Sequence, residues 1–242
     1  MSHVFRFFAE GNGVPGGRLE LLREEDAHVR VLRLSEGDPV EVVDAAGRLW
    51  SATLAAGGGA LLDVVLQERE LLPDITLYAG LGASQAWDAL VDGAVQTGVA
   101  RIVPVVASPR AADKAAKRLE RSARVARAAA KQAKRLCLPT IAPPVALADL
   151  AKVGAEAPRV VLATGSPVTL ASWAVTVPLP GGRPISILVG ASDGLPDDLV
   201  EQLVAAGWTR CGLGPTVLRS ELAAAVAVAI LAQSTHDHRV QR

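Results

Sequence analysis

The chain has 242 residues, half of them hydrophobic but only 3% aromatic, and its 25 basic and 25 acidic side chains leave a formal net charge of zero. That length can bury one large core or two smaller ones, built mainly from Ala, Val and Leu. No apolar run approaches the ~20 residues that span a bilayer, and the first residues lack the basic-then-apolar layout of a signal peptide. The two cysteines, Cys137 and Cys211, make no disulfide framework. A cytoplasmic protein without a membrane partner is expected. The four histidines are scattered and join no cysteine cluster, so no metal site is expected; His236 and His238 read as part of a frayed tail. Neutrality on its own argues against a polyanionic partner, but the charge is unevenly distributed.

Residues 1–71 read as a small β-rich domain. His3–Phe8 is a strand, and Gly11–Gly17 holds four glycines and a proline, which is loop chemistry. A short helix over Asp26–Leu34 precedes a turn at Gly37-Asp38. Val40–Val43 and Leu49–Leu54 alternate as a hairpin around Asp44-Ala45-Ala46-Gly47, and Gly57-Gly58-Gly59 turns into a last strand, Leu61–Gln67. Short strands joined by glycine turns predict a small barrel. Arg6, Arg30 and Arg33 fall at or beside its only helix and are candidates for bidentate phosphate contact.

Residues 72–242, which begin near Leu71-Leu72-Pro73, alternate strands and helices, the pattern of a mostly parallel α/β sheet. Ile75–Ala79 is a buried-type strand ending in Gly80-Leu81-Gly82. That G-x-G lacks a third glycine and a following acidic residue, so it is no dinucleotide fingerprint. A helix, Gln85–Gln96, stops at Gly98. Strand Ile102–Val106 contains Pro104, which suggests an edge or a bend. From Asp113 to Leu136, Leu119, Ser122, Ala126, Ala129, Ala133 and Leu136 recur as one core face. Nine cations against two acids give this stretch a net charge of +7. A ridge of one sign is expected to meet a polyanion, with Lys117, Arg121, Arg124, Lys131 and Arg135 as its phosphate contacts.

After a connector with Pro143-Pro144 and a short helix near Leu147–Lys152, strand Val160–Ala163 ends in Thr164-Gly165-Ser166-Pro167. Val168–Gly182 is irregular and receives no element. Strand Ile185–Val189 ends in Gly190-Ala191-Ser192-Asp193-Gly194. Helix Pro196–Ala206 leads to strand Trp208–Cys211 and Gly212-Leu213-Gly214-Pro215. Arg219 and Glu221 then open a helix that is apolar as far as Ala232. Three strands thus end in glycine loops, where open α/β sheets bind ligands.

The order V-G-x-x-x-G, short helix, L-G-P-x-V-L-R-S-E-L-A resembles the knotted SPOUT class of methyltransferases, and within it the ribosomal RNA small-subunit methyltransferase E family. The words His28-Val29-Arg30-Val31-Leu32-Arg33 before Gly37-Asp38 resemble that family's PUA-like RNA-binding domain, so the resemblance spans nearly the whole chain. It implies a small PUA-like β-barrel followed by a SPOUT α/β knotted methyltransferase domain, S-adenosylmethionine as cofactor, small-subunit ribosomal RNA as partner, methylation of a uridine N3, and a homodimer. It assigns the cofactor to Leu162, Thr164, Gly165, Val189, Gly190, Gly194, Leu213, Gly214, Val217 and Leu218. Arg219 is the candidate for stabilising the developing negative charge, or for holding the uracil carbonyls or the phosphate. Glu221 is the candidate base, or the partner that fixes the Arg219 fork.

The chain departs from the family at several places. Where the family reads G-P-E-G-G, it carries Ser192 and Asp193. A usual Lys and Glu appear as Gly93 and Gln96. In the E-Q-x-G-R word the Glu is Lys131, with Gln132 and Arg135 retained, and the Thr of R-x-E-T is Leu222. The alternatives are a non-catalytic RNA-binding or ribosome-assembly factor on the same scaffold and an unrelated nucleotide-using α/β enzyme.

Overall fold

A computed structural model describes residues 4–70, 72–153, 157–177 and 184–240, the last six in backbone only. The expected strand residue His3 and residues 178–182 of the unassigned stretch lie outside these, as do the side chains of His236 and His238. The chain forms two compact units. One holds Met1–Leu71 with Ala130–Cys137, and the other holds Leu72–Ala129 with Leu138–Arg242. The end of the basic stretch therefore counts with the first unit.

In the first unit, β1 (Phe5–Phe8), β2 (Arg18–Glu20), α1 (Glu25–Val31), β3 (Pro39–Val43), β4 (Leu49–Ala55) and β5 (Gly59–Gln67) follow in order. The five strands lie in the order β1-β3-β4-β5-β2, with β1 parallel to β3 and the other pairs antiparallel. The two edges then meet: Ala9 bridges Leu21, and the Leu22 amide donates to the Phe8 carbonyl at 2.9 Å. This contact closes the sheet and satisfies edge groups that would otherwise stay open. Strand β2, absent from the sequence reading, is too short to show a period. Inward residues at every second position, Trp50, Ala52 and Leu54, fill the core with Phe7, Val42 and Leu62.

The hairpin turn is held by Asp44. Its carboxylate accepts from the amides of Gly13, Ala46 and Arg48, from the Arg48 Nε and from the Trp50 indole, at 2.9–3.0 Å. Burial alone would raise its pKa, but the donors from Arg48, Gly13 and Trp50 outweigh burial and hold it below the usual carboxylate value.

The second unit contains β6 (Ile75–Gly80), α2 (Ser84–Thr97), β7 (Arg101–Val106), α3 (Pro109–Gln132), β8 (Thr140–Ile141), β9 (Val145–Ala146), a 3-10 turn at Leu147–Lys152, β10 (Arg159–Leu162), α4 (Leu170–Thr176), β11 (Ile185–Val189), α5 (Asp197–Ala205), β12 (Thr209–Cys211) and α6 (Ser220–Val240). Its strands run β12-β10-β11-β6-β7-β8, with β9 also on β7, and every ladder is parallel. Parallel strands buried on both faces explain why β10 and β11 are rich in Val, Ile and Leu without a polar alternation. Helix α6 packs on α2, α4 and β6. On the opposite face, Leu150, Val161, Leu188, Val200, Leu203 and Trp208 form a second core with the 3-10 turn and α5.

Two expectations are corrected here. Strand β7 is interior, paired with β6 on one side and with β8 and β9 on the other, so Pro104 marks no edge. Same-side backbone groups recur every second residue, so Pro104 faces the side on which Ile102 pairs with Ile141 and Val106 with Ala146, at the break between β8 and β9. No donor is needed there. The stretch after Val168 holds α4, capped by Thr169, whose hydroxyl accepts from the Ser172 amide at 3.1 Å.

Helix α3 begins before and ends before the expected Asp113–Leu136. It closes where the Arg135 amide donates to the Ala130 carbonyl at 2.8 Å and the Lys134 amide to Lys131 at 3.0 Å, with Lys134 left-handed at φ 53°. In the word E-Q-x-G-R, Lys134 occupies the glycine's place, and glycine adopts this conformation without strain.

Candidate functional site

Strands β12, β10, β11 and β6 are neighbours and parallel, so the loops that follow them emerge together at one edge of the sheet. They enclose a cavity of about 580 Å³, within the range of ligand sites. Two close backbone approaches shape it. A Cβ on Gly80 would stand 2.4 Å from the Ala191 amide nitrogen, and one on Gly190 would stand 2.7 Å from the Gly194 carbonyl carbon. Only glycine lets the end of β6 come this near the β11 loop and lets that loop close on itself.

The structure brings Leu162, Thr164, Val189, Gly190, Gly194, Leu213, Gly214, Val217, Leu218, Arg219 and Glu221 to the wall of this one cavity. Gly165 follows Thr164 but is not on that wall. The loop after β10 is tied to the loop after β12: Leu170 donates to the Gly212 carbonyl and Gly212 to the Val168 carbonyl, each at 2.8 Å.

Arg219 and Glu221 do not form a fork. Among the described residues neither has an ion-pair partner, and Glu221 instead accepts a bond of 3.3 Å from the Ser220 hydroxyl. Both side chains stay available for a ligand.

Sequence reasoning missed part of the wall. Gly82 and Ala83, from the loop that holds the G-x-G set aside as no dinucleotide motif, and Ala86 of α2 line the cavity, as do Asp193, Asp197 and Arg210. The glycine loop ending β6 was a usable signal, because it matches the other three in kind. Arg210 gave none, since one arginine in a short strand looks like surface charge.

The expected phosphate contacts separate into two groups. Arg30, Arg33, Lys117 and Arg124 are exposed, and among the described residues none has an ion-pair partner. Arg121 is exposed but paired with Asp88 through Nε at 2.9 Å. The placement of the other three on an open surface is corrected. Arg6 binds Glu41 with its side chain 11% exposed, Lys131 binds the fully buried Glu25, and Arg135, 5% exposed, binds Glu70 through Nε at 2.8 Å. Each carboxylate comes from a distant part of the sequence, so no local pattern could reveal it. Among the described residues no cluster could hold a metal ion, and no helix is long and apolar enough to cross a membrane.

Residues 69–232 match the family model described as an RNA methyltransferase domain. A curated relative, ribosomal RNA small subunit methyltransferase E of Synechocystis, is 28% identical over 207 residues, which are 83% of this chain and 67% of the relative. A crystal structure of a ribosomal RNA small subunit methyltransferase E from Neisseria gonorrhoeae bound to S-adenosyl methionine superposes with a TM-score of 0.80, at 24% identity, over 96% of this chain and 98% of that one. A Legionella pneumophila protein in complex with the bound cofactor SAM superposes at 0.81, at 23% identity and the same coverage. The fold is thus shared over nearly the full chain, curled barrel and parallel sheet together.

Proposed function

The chain belongs to the RNA methyltransferase family, and we propose that it is an S-adenosylmethionine-dependent methyltransferase of small-subunit ribosomal RNA that acts on N3 of a uridine. The observation that carries this reading is the 580 Å³ cavity at the ends of four adjacent parallel strands, with Arg219 and Glu221 on its wall. The cavity suits the cofactor. It is walled largely by loop residues, with the apolar Leu162, Val189, Leu213 and Leu218 among the lining, and Gly194 and Gly214 leave open space where a side chain would project. Relatives of the same fold carry this cofactor.

S-adenosylmethionine, when bound, supplies a sulfonium-activated methyl group. The chain must then make a nitrogen nucleophilic, because uridine N3 carries a weakly acidic proton. Glu221 takes that proton, and Arg219 stabilises the negative charge that spreads onto the uracil carbonyls. The target base has to leave its stack to enter the cavity, which selects a loop or junction nucleotide. The exposed cations of α3 and of the barrel, Lys117, Arg124, Arg30 and Arg33, hold the RNA backbone.

A second copy completes the assembly. On α6, Leu222 is 51% exposed, and Val226, Ala229 and Ile230 are only partly covered. They recur at helical spacing as one apolar stripe. Pairing of two such stripes gives the homodimer implied by the resemblance.

Mass mapping of modified nucleotides in ribosomal RNA from cells with and without the protein tests the reaction. A single N3-methyluridine that vanishes with the protein is expected, and an unchanged map overturns the proposal. Purified Glu221→Gln and Arg219→Ala proteins should bind cofactor in calorimetry yet transfer methyl at least a hundredfold more slowly, the scale of removing an acid–base or charge-stabilising group, ~10²–10³. A protein that binds RNA but no cofactor would instead be an assembly factor.

A further inference from the structure

Arg210 is a charged side chain of the cavity wall with no task in the reaction above. It stands on β12 opposite Val161 of β10. Its Nη2 donates to the Thr164 carbonyl at 3.4 Å, at the long limit for such a bond, and its Nε is buried without a hydrogen-bond partner. Among the described residues it has no ion pair, although Asp193, Asp197 and Glu221 line the same cavity. A guanidinium at a cavity wall whose Nε is buried and unpartnered, and whose one hydrogen bond is long, is incompletely satisfied until a ligand completes it. Its planar fork matches a carboxylate or a phosphate oxygen pair.

We propose that Arg210 is the anion-binding group of this pocket and takes the amino-acid carboxylate of S-adenosylmethionine. This rests on the cofactor reading above. The cofactor carries two cationic centres and a single anion, so within the cofactor only that carboxylate can partner Arg210 in a wall that also holds three acids. An RNA phosphate has related chemistry, but Arg219 is the more exposed of the two guanidinium groups and meets the solvent side, whereas Arg210 is half-buried beside Thr164.

Calorimetry with three probes separates these cases: S-adenosylhomocysteine, 5′-methylthioadenosine (the same nucleoside without the amino-acid end) and a target RNA fragment. Binding of S-adenosylhomocysteine by the unaltered protein tests the cofactor reading on its own. Arg210→Ala and Arg210→Gln are then compared with it; the glutamine amide can still reach Thr164 and guards against loss of the fold. Both variants should bind S-adenosylhomocysteine roughly ten- to a hundredfold more weakly, the size of one charge-assisted contact, with methylthioadenosine and RNA affinities within about twofold of the parent. Equal losses for both nucleosides, or none for either, overturn the assignment. A loss confined to RNA moves the anion to the phosphate and overturns it as well.

Discussion

Lys131 closes the basic helix against a carboxylate that has no access to water. Glu25 is fully buried, and its partners are the Lys131 ammonium, His28 and a weak bond of 3.4 Å from the Phe8 amide. The ammonium also stands 5.7 Å from the centre of the Phe7 ring. Removing one member of a buried pair leaves the other desolvated and unpaired, a loss of about 3–5 kcal/mol. Lys131→Glu, which also places two like charges together, should cost at least that much in urea unfolding. Lys117→Glu, on the exposed face, should stay within about 0.5 kcal/mol of the parent. Equal stabilities for the two variants would show that Glu25 and Lys131 do not depend on each other.

At the scale of the element, α3 serves two purposes along its length. Its inner face is packed through Ala115, Ser122, Ala126 and Ala129, and Ser122 accepts the Trp87 indole of α2 at 2.9 Å. Arg118 reaches the Gly82 carbonyl at 3.1 Å, so the helix also steadies a loop that walls the cavity. The outer face keeps Lys117 and Arg124 in water. A Lys117→Glu/Arg124→Glu protein should therefore fold normally, retain cofactor affinity and bind RNA weakly. Its plot of log affinity against log salt should flatten by roughly 0.7–0.9 for each phosphate that the protein no longer neutralises. Unaltered RNA affinity and slope would reduce the ridge to solvated charge. The helix was legible from its period, but its end was not. The apolar repeat continues through Ala133 and Leu136, while the backbone turns left-handed at Lys134, and nothing in a hydrophobic repeat records that.

For the whole molecule, the proposed pairing through α6 makes a direct demand on solution mass. Sedimentation at micromolar concentration should give a dimer of the 25.1 kDa chain, and a charge placed in the stripe, Val226→Glu, should shift it towards monomer with the parallel sheet intact by circular dichroism. A monomeric parent protein would overturn the pairing. Gly93 bears on this helix as well, since a Cβ there would stand 3.1 Å from that of Ala225. The absence of a long side chain at position 93 lets α2 and α6 lie close.

Residue order was enough to show the alternation of strands and helices, the glycine loops at strand ends and the place of Arg219 and Glu221 at the mouth of an apolar helix. Each is local: period, turn chemistry and residue order are written within a few positions. Short elements such as β2, β8 and β9 escaped because two or three residues show no period, and a sheet partner supplies what their own pattern lacks. Which charges remain free became visible only in the folded chain. Arg6, Lys131 and Arg135 look like their exposed neighbours until Glu41, Glu25 and Glu70 arrive from 35, 106 and 65 positions away. Folding also turned Arg210 from one more surface cation into part of a cavity wall, because four strands far apart in sequence end side by side. An ion pair or a pocket is set by distance in space, and chain order does not encode that distance.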